Sequence, residues 1–461
     1  MSDNVSTQPA AGLVPAGLPA GNGEASSHRT GRREHAAVPR PAAPPAAQIA
    51  GFVREWFGRH EDELVAFRRD LHMHPELGRQ EHRTADRIAA RLRAAGLRPQ
   101  PLPDVPGMWC DIVADGPAGV TPASRVGDTD PARTPTDGPV VMLRADMDAL
   151  PLQDAKKVPY ASTVPGVCHA CGHDVHTTVV LGAGLALAEY ARTRPLPGTV
   201  RLLFQPAEET MPGGALEVIE AGVLKPVGAA LTVHCDPALD VGTVGLRPGP
   251  ITSAADLVEI SVAGPGGHTS RPQNTVDLVY AIGALITQLP AALGRRIDPR
   301  SGLALVWGQV QAGSVANAIP RAGQLRGTLR TLSRETWEVA PDLVEALAQQ
   351  IAGQYGADAV VDYRRGVPPV VNSVEFVDAY DAAVTAAFGH SAVATVAQSL
   401  GGEYFGWYLT HVPGALARLG TRTPGGPTFD LHQGNYLVDE GVIGVGVRLL
   451  TGAALEAMNR L

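Results

Sequence analysis

Cysteine is scarce in this chain, with 4 residues in 461, and so are long apolar runs. So few cysteines exclude a disulfide-stabilised scaffold and favour reduced thiols. No apolar segment of a secretory signal follows the N-terminus, and the longest apolar run, near residues 179–188, is too short to span a bilayer. These absences predict a soluble, cytoplasmic protein that is not bound to a membrane.

Basic charge is also in deficit, because 38 Lys and Arg face 46 Asp and Glu, a formal net charge of −8. This balance argues against a nucleic-acid partner, which would require a basic surface. Hydrophobic residues make up 44% of the chain, an ordinary share for a globular protein. A chain of 461 residues is too long to fold around one compact core, so we expect more than one domain.

Composition divides the chain into segments. Residues 1–48 are rich in Ala, Pro, Gly and Ser, and cannot bury enough apolar surface to offset their ordering entropy, so we predict a disordered tail. Residues 115–138 are rich in Pro, Gly, Thr and Asp and predict an exposed loop. In residues 49–252, short β-branched runs alternate with helical patterns, which predicts an α/β fold with a mainly parallel, doubly wound sheet.

Residues 253–366 have a different pattern, with four strand-like runs and two helical runs. The pattern predicts a four-stranded, two-helix α+β domain inserted into the first one. Residues 367–461 would then return to the first sheet and complete the catalytic domain that residues 49–252 begin. We found no internal repeat.

The stretch GVCHACGHDVH, from Gly166 to His176, holds two cysteines, three histidines and an aspartate. It could be a metal site, a thiol nucleophile with a base, or a chance cluster. Similar donors end three predicted strands: Asp146 and Asp148, then Glu208 and Glu209, then His234 and Cys235. Since ligands bind at the carboxyl ends of strands in open α/β sheets, this convergence favours a metal site.

Each donor also has a structural interpretation. Cys168 is typical of a small buried hydrophobe. We take His72, His74, His169 and His176 as structural polar groups, and Asp174 as an N-cap of the helix that follows. Adjacent Glu208 and Glu209 could instead be the acidic first turn of a helix.

The motifs DLHMHPELGRQEHRTADRIAARL, LRADMDALP, CHACGHDVH, QPAEE, VHC and GPGGHTSRP occur in this order. Together they closely resemble the M20-type metal-dependent amidohydrolases, and within them the N-acyl-amino-acid, hippurate and indole-acetyl-amino-acid hydrolases. The resemblance extends from about Gly51 to the C-terminus.

The resemblance implies two divalent metal ions, of Zn, Mn, Co or Ni, with Cys171 as a bridging thiolate. His173, Glu209, His234 and His432 would complete the ligand set. Glu208 would be the general base, and Asp148 would orient a ligand histidine.

The inserted domain would serve as a lid and as the contact of a homodimer. His268 would reach across the dimer interface to stabilise the oxyanion, and Asn317 and Arg330 match positions near the substrate.

The expected function is metal-dependent hydrolysis of the amide bond of a small N-acyl amino acid by water, with a glutamate base. The alternatives are an N-carbamoyl amino acid hydrolase, a thiol hydrolase using Cys171, and a catalytically impaired homologue that binds a small molecule. The last of these is motivated by Tyr404, which stands where the family usually has an acid after Glu403. Cys168 and Gln273 also replace the family's usual methionine and histidine.

Overall fold

A computed structural model of the chain describes residues 46–113 and 138–461. The tail predicted for residues 1–48 and the loop predicted for residues 115–138 therefore lie almost wholly outside the described residues. Residues 46–48 belong to the first helix, which begins before the predicted end of the tail.

The helices are, in chain order, α1 Ala46–Met73, α2 His82–Ala94, α3 His173–Ala191, α4 Ala215–Glu220, α5 Leu278–Arg296, α6 Arg334–Gly353, α7 Val374–Phe388, α8 Phe405–Leu409 and α9 Gly441–Met458. The strands are β1 Gln100–Pro101, β2 Met108–Val113, β3 Val140–Asp146, β4 Thr199–Gln205, β5 Ala229–Asp240, β6 Val244–Leu246, β7 Gly249–Pro250, β8 Ala255–Ala263, β9 Gly267–His268, β10 Ala304–Ala312, β11 Ala318–Ile319, β12 Ala322–Arg330, β13 Asp358–Val367, β14 Val371–Asn372, β15 Val393–Thr395 and β16 Gly414–Arg422.

The larger sheet has eight strands in the order β1-β2-β4-β3-β5-β16-β6-β15. Its four central strands, β4, β3, β5 and β16, are parallel, whereas β1, β2 and β6 pair antiparallel with their inner neighbours. The α/β prediction is confirmed, but the sheet is mixed and not mainly parallel at its edges. Strands as short as β1, β6 and β15 give too little pattern to be recognised in a sequence.

Helices cover both faces of this sheet, which is why β3 begins with a continuous apolar run at residues 140–143. Val141, Leu143 and Ala145 join the core formed with α1, α2, α3, α7 and α9. Val140 and Met142 point to the other face and join the core formed with α4 and α8. The central strands therefore have no solvent-facing side, and polar side chains inside them, such as Arg144 in β3 and Arg201 in β4, are buried and paired with aspartates.

The second sheet has four antiparallel strands in the order β10-β12-β8-β13. Along β8, Val258, Ile260 and Val262 are buried against a core shared with α5 and α6, while the alternate residues face outward. Helices α5 and α9 are long and apolar enough to cross a membrane by length and composition alone. Both, however, contribute buried residues to these cores, so they are explained as packed core helices.

Candidate metal centre

Strands β4, β3 and β5 are neighbours and run parallel, so their carboxyl ends meet at one edge of the sheet. Asp146 ends β3, Glu208 and Glu209 follow the end of β4, and His234 is the sixth of the twelve residues of β5. Helix α3 begins beside them at His173. The sheet topology thus gathers side chains that are remote in sequence.

The five candidate ligands lie together. Cys171 Sγ is 3.7 Å from His234 Nε2. Glu209 Oε1 is 3.8 Å from His173 Nε2 and 3.2 Å from His432 Nε2. The ligand atoms of Cys171, His173 and His234 lie within 4.8 Å of one another, and so do those of Cys171, Glu209 and His432. Cys171 belongs to both trios, which is the position that a ligand shared by two ions requires.

The donor set fits two divalent ions. His173 Nε2 and Glu209 Oε1 are buried and have no hydrogen-bond partner among the described residues. Buried polar atoms are costly unless something satisfies them. Imidazole nitrogen, carboxylate oxygen and thiolate sulfur together suit Zn²⁺, Mn²⁺, Co²⁺ or Ni²⁺ better than Mg²⁺.

Protonation at the cluster agrees with this fit. Burial raises the pKa of the Cys171 thiol well above its ordinary value, and the nearby Glu209 carboxylate raises it further. Burial alone would lower the pKa of His173, but the Asp146 carboxylate raises it well above its ordinary value. Metal ions bind thiolate and neutral imidazole, so ions entering this cluster would displace protons from it.

The backbone is constrained at two points of the site. Ala207, just before Glu208, has a φ of 54°, and His432 has a φ of 60°. This left-handed conformation costs a non-glycine residue about 1–3 kcal/mol and persists where the surroundings impose it. Here the N–H of Ala207 donates to Glu81 Oε1 at 2.6 Å, and the N–H of His432 donates to the Ala170 carbonyl at 2.8 Å. The second bond ties the His432 loop to the loop that carries Cys171.

Glu208 lies beside the ligands, since its carboxylate is within 4.8 Å of the ligand atoms of His173 and Glu209. Its Oε1 accepts a hydrogen bond of 3.2 Å from the backbone N–H of Tyr404. Burial, together with the carboxylates of Glu403 and Glu209, raises the pKa of Glu208 well above its ordinary value. Because the backbone N–H of Tyr404 makes this contact, any residue except proline at position 404 can provide it.

His176, for which the sequence predicts a structural role, lies close to the site. His176 Nδ1 is 2.7 Å from Asp146 Oδ1, and its Nε2 accepts the N–H of Cys235 at 2.8 Å. Asp146, His173 and His176 form a further trio within 4.8 Å. The period of α3 could have indicated this contact, because His176 follows His173 by one helical turn.

The prediction that Asp174 caps α3 is wrong. The helix begins at His173, its N-cap is Gly172, and no side chain caps it. Asp174 is buried inside the protein, where its Oδ2 is 2.7 Å from Arg68 Nε and 2.7 Å from His72 Nδ1. A carboxylate buried in this way needs a charged partner, because an unpaired buried charge is costly.

The remaining expected site residues lie elsewhere. His268, in β9, and Asn317, just before β11, are exposed neighbours, and the Thr269 N–H donates to the Asn317 carbonyl at 3.3 Å. Arg330, at the end of β12, donates to the Leu400 carbonyl. Among the described residues, no hydrogen bond or ion pair joins these three side chains to the candidate ligands. Cys168 is fully buried, as expected for a small hydrophobe.

This fold and this cluster define a metal-binding α/β protein. Residues 142–456 match the sequence profile of peptidase family M20/M25/M40, and the chain belongs to that family. It is 36% identical over 398 residues to the N-acetylcysteine deacetylase of Bacillus subtilis, covering 86% of this chain and 97% of that protein.

Two further relatives match this chain over different shares of their own length. A longer Rhodococcus jostii protein, whose name is that of a glutamate–cysteine ligase, is 44% identical over 390 residues. That match covers 85% of this chain but only 46% of the relative. The solved structure of the Bacillus subtilis YXEP protein, described as a dinuclear metal-binding peptidase of the M20 family, has 32% identity and a TM-score of 0.73, covering 88% of this chain and 99% of that one. The resemblance inferred from the sequence motifs is therefore confirmed.

Proposed function

We propose that the protein hydrolyses the amide bond of an N-acyl amino acid, using two divalent metal ions, to release a carboxylic acid and an amino acid. The observation that carries this proposal is the meeting of a thiol, three imidazoles and a carboxylate beside a second carboxylate, Glu208. The Bacillus subtilis relatives, a deacetylase of N-acetylcysteine and a dinuclear metal-binding peptidase, support the same chemistry.

The candidate residues have two roles in the proposed reaction, metal binding and proton transfer. Ions held by Cys171, His173, Glu209, His234 and His432 would polarise the amide carbonyl and lower the pKa of the attacking water. Glu208 takes one proton from that water as its oxygen adds to the acyl carbon, and delivers it to the nitrogen as the C–N bond breaks. A carboxyl with a raised pKa suits this return step, because it can hold the proton until the amine leaves.

Residues 253–366, which contain most of the second sheet, are proposed to form a lid and dimerisation domain. Its edge strand β10 and the adjacent α5 expose apolar side chains, among them Val306 and Tyr280. His268 and Asn317 lie on the surface of this domain. Either closure of the domain over the metal centre or contact with a partner subunit would have to bring them, together with Arg330, to the substrate. Mixing inactive Glu208→Gln and His268→Ala subunits should then restore part of the activity, whereas two variants that fail to complement would contradict the shared site.

Metal removal tests the proposed chemistry. Chelator-treated protein should lose turnover of N-acetyl, N-benzoyl and N-indolyl-acetyl amino acids and regain it with Mn²⁺, Co²⁺ or Zn²⁺. Turnover that is unchanged by chelator treatment would reject the metal mechanism and favour a thiol hydrolase. Two bound ions without turnover of any N-acyl or N-carbamoyl amino acid would favour a binding protein instead.

The proposal also includes a cytoplasmic location. All four cysteines are free and buried, which agrees with a reducing compartment. Cell fractionation with an antibody against the chain would test it.

A further inference from the structure

A cavity of about 450 Å³ adjoins the candidate metal centre. Its wall includes Cys235, which follows His234 in the chain, and residues on both sides of His432. Cavities of ~300–1,000 Å³ are the usual size for small-molecule ligands. The cavity wall therefore includes chain neighbours of two candidate ligands, and the cavity has room for an N-acyl amino acid.

Arg418 forms part of this wall. It lies on β16 directly opposite His234 on β5, and residues paired across two strands project from the same face. Its Nη1 is 3.2 Å from His234 Nδ1. The guanidinium thus lies beside the imidazole whose other nitrogen faces Cys171.

The Arg418 guanidinium has no acceptor in the part of the chain that the structure describes. His234 Nδ1 is 2.8 Å from the carbonyl oxygen of Cys235. Because a carbonyl oxygen can only accept, Nδ1 carries the hydrogen and cannot also accept one from Arg418. Arg418 is only 9% exposed, and within the described ranges no carboxylate lies within ion-pair distance of it.

Other buried arginines of this protein are paired. Arg68, Arg144 and Arg201 each have a guanidinium nitrogen 2.7 Å from an aspartate oxygen. A buried charge is costly unless a counter-charge compensates it. Arg418 differs from these three in facing a cavity, so a ligand is in a position to provide the missing anion.

The two acids in the cavity wall do not compensate Arg418. Asp236 Oδ1 accepts the N–H of Ala238 at 2.9 Å, and Asp430 Oδ1 accepts the N–H of Leu431 at 2.9 Å. Both are more exposed than Arg418. An anionic group is therefore favoured at the Arg418 end of the cavity and disfavoured at the aspartates, which gives the ligand a direction.

We propose that Arg418 binds the α-carboxylate of the substrate, so that the enzyme prefers an N-acyl amino acid with a free carboxyl group. This inference rests on the proposed function and names the part of the substrate that this side of the site holds. The α-carboxylate is separated from the reacting nitrogen by one carbon atom, which suits a guanidinium next to a candidate metal ligand. Arginine matches the two oxygens of a carboxylate with two parallel N–H groups.

The test compares N-acetyl-L-methionine with its α-amide, which lacks the carboxylate, on the metal-loaded full chain. Arg418→Met should raise KM for the acid about 30-fold or more, with kcat changed little, and leave the kinetics of the amide unchanged. Arg418→Lys should lie between the two for the acid. Arg326→Met, at an exposed ion pair on the second sheet, is the matched control and should behave as wild type.

Calorimetry gives a second readout that does not need turnover. In the metal-loaded Glu208→Gln protein, adding Arg418→Met should weaken binding of N-acetyl-L-methionine about 30-fold or more and leave binding of the amide unchanged. Equal losses for acid and amide, or no loss for the acid, would overturn the role of Arg418. If wild-type protein binds the acid through Arg418 but hydrolyses neither compound nor any other N-acyl amino acid, the proposed function fails and this inference stands.

Discussion

Asp148 and His173 are in contact through two atoms: His173 Nδ1 lies 2.9 Å from the Asp148 carbonyl oxygen and 3.3 Å from its Oδ1. Since both oxygens can only accept, Nδ1 carries the hydrogen, and Nε2 is left free on the side of Glu209. The other carboxylate oxygen of Asp148 accepts the N–H of Glu209 at 2.8 Å. One carboxylate thus orients two candidate ligands that come from different parts of the chain.

We expect Asp148→Asn to weaken binding of the divalent ions about 10–100-fold, because the groups that orient ligands contribute this much to metal affinity. Titration of metal against a competing chelator measures the change. Asp111→Asn, which removes the ion pair between Asp111 in β2 and Arg201 in β4, is the control and should keep the wild-type affinity. An unchanged affinity in Asp148→Asn would mean that backbone contacts alone orient His173.

Glu208→Gln should keep both metal ions and lower kcat by about 10²–10⁴-fold, the range lost with a general acid–base group. The amide keeps the size of the side chain and can still accept the Tyr404 N–H, so only proton transfer is removed. Steady-state kinetics with elemental analysis of the same sample checks both parts. Glu217→Gln, at the exposed ion pair with Arg79, serves as control, and near-normal turnover of Glu208→Gln would exclude Glu208 as the base.

Tyr404→Phe should leave kcat within about twofold of wild type. The Tyr404 hydroxyl is buried and has no hydrogen-bond partner among the described residues, while the contact with Glu208 comes from the backbone N–H. Removing an unsatisfied buried hydroxyl is nearly neutral or stabilising, by up to about 1 kcal/mol. Kinetics and denaturant unfolding measure the two quantities, and a tenfold loss of kcat would place the hydroxyl in the reaction.

The sequence predicted the site from the acids that end β3 and follow β4, because both strands are buried on both faces and consist mostly of apolar residues. The sequence was less informative about which side chains contact one another in the folded protein. Aspartate is a residue type that often caps helices, which favoured that role for Asp174. Its actual contacts with Arg68 and His72 depend on how α1 packs against α3. Pattern within one segment carries no information about such packing.

Arg418 shows the same limit. Nothing in the run GALARLGTR distinguishes a buried arginine facing a cavity from one facing solvent. Its importance depends on the parallel pairing of β16 with β5, which places it opposite His234. The pairing joins segments far apart in the chain, and only the three-dimensional structure reveals it.

Glu81 gives the protein a pH-dependent stability outside the ligand set. Its side chain is fully buried, Oε1 accepts the Ala207 N–H, and Oε2 has no partner in the described part of the chain. Burial, and then the charge of Asp148, raise the pKa of Glu81 from 4.5 to about 8. An acid whose pKa is higher in the folded than in the unfolded state binds its proton more tightly when folded. Its contribution to stability is therefore complete below about pH 4.5 and is lost as the pH rises through 8.

Glu81→Gln should remove this dependence, since the amide is neutral at every pH and can still accept the Ala207 N–H. Between pH 5 and 8, the free energy of unfolding of wild type should fall relative to that of the variant by at most about 1.4 kcal/mol per pH unit. Denaturant unfolding of both proteins at saturating metal, at several pH values from 5 to 9, measures the difference, and other titrating groups cancel because both proteins share them. Glu61→Gln, on the exposed side of α1, should follow wild type throughout. Parallel curves for wild type and Glu81→Gln would show that Glu81 ionises in the folded protein as it does in the unfolded chain.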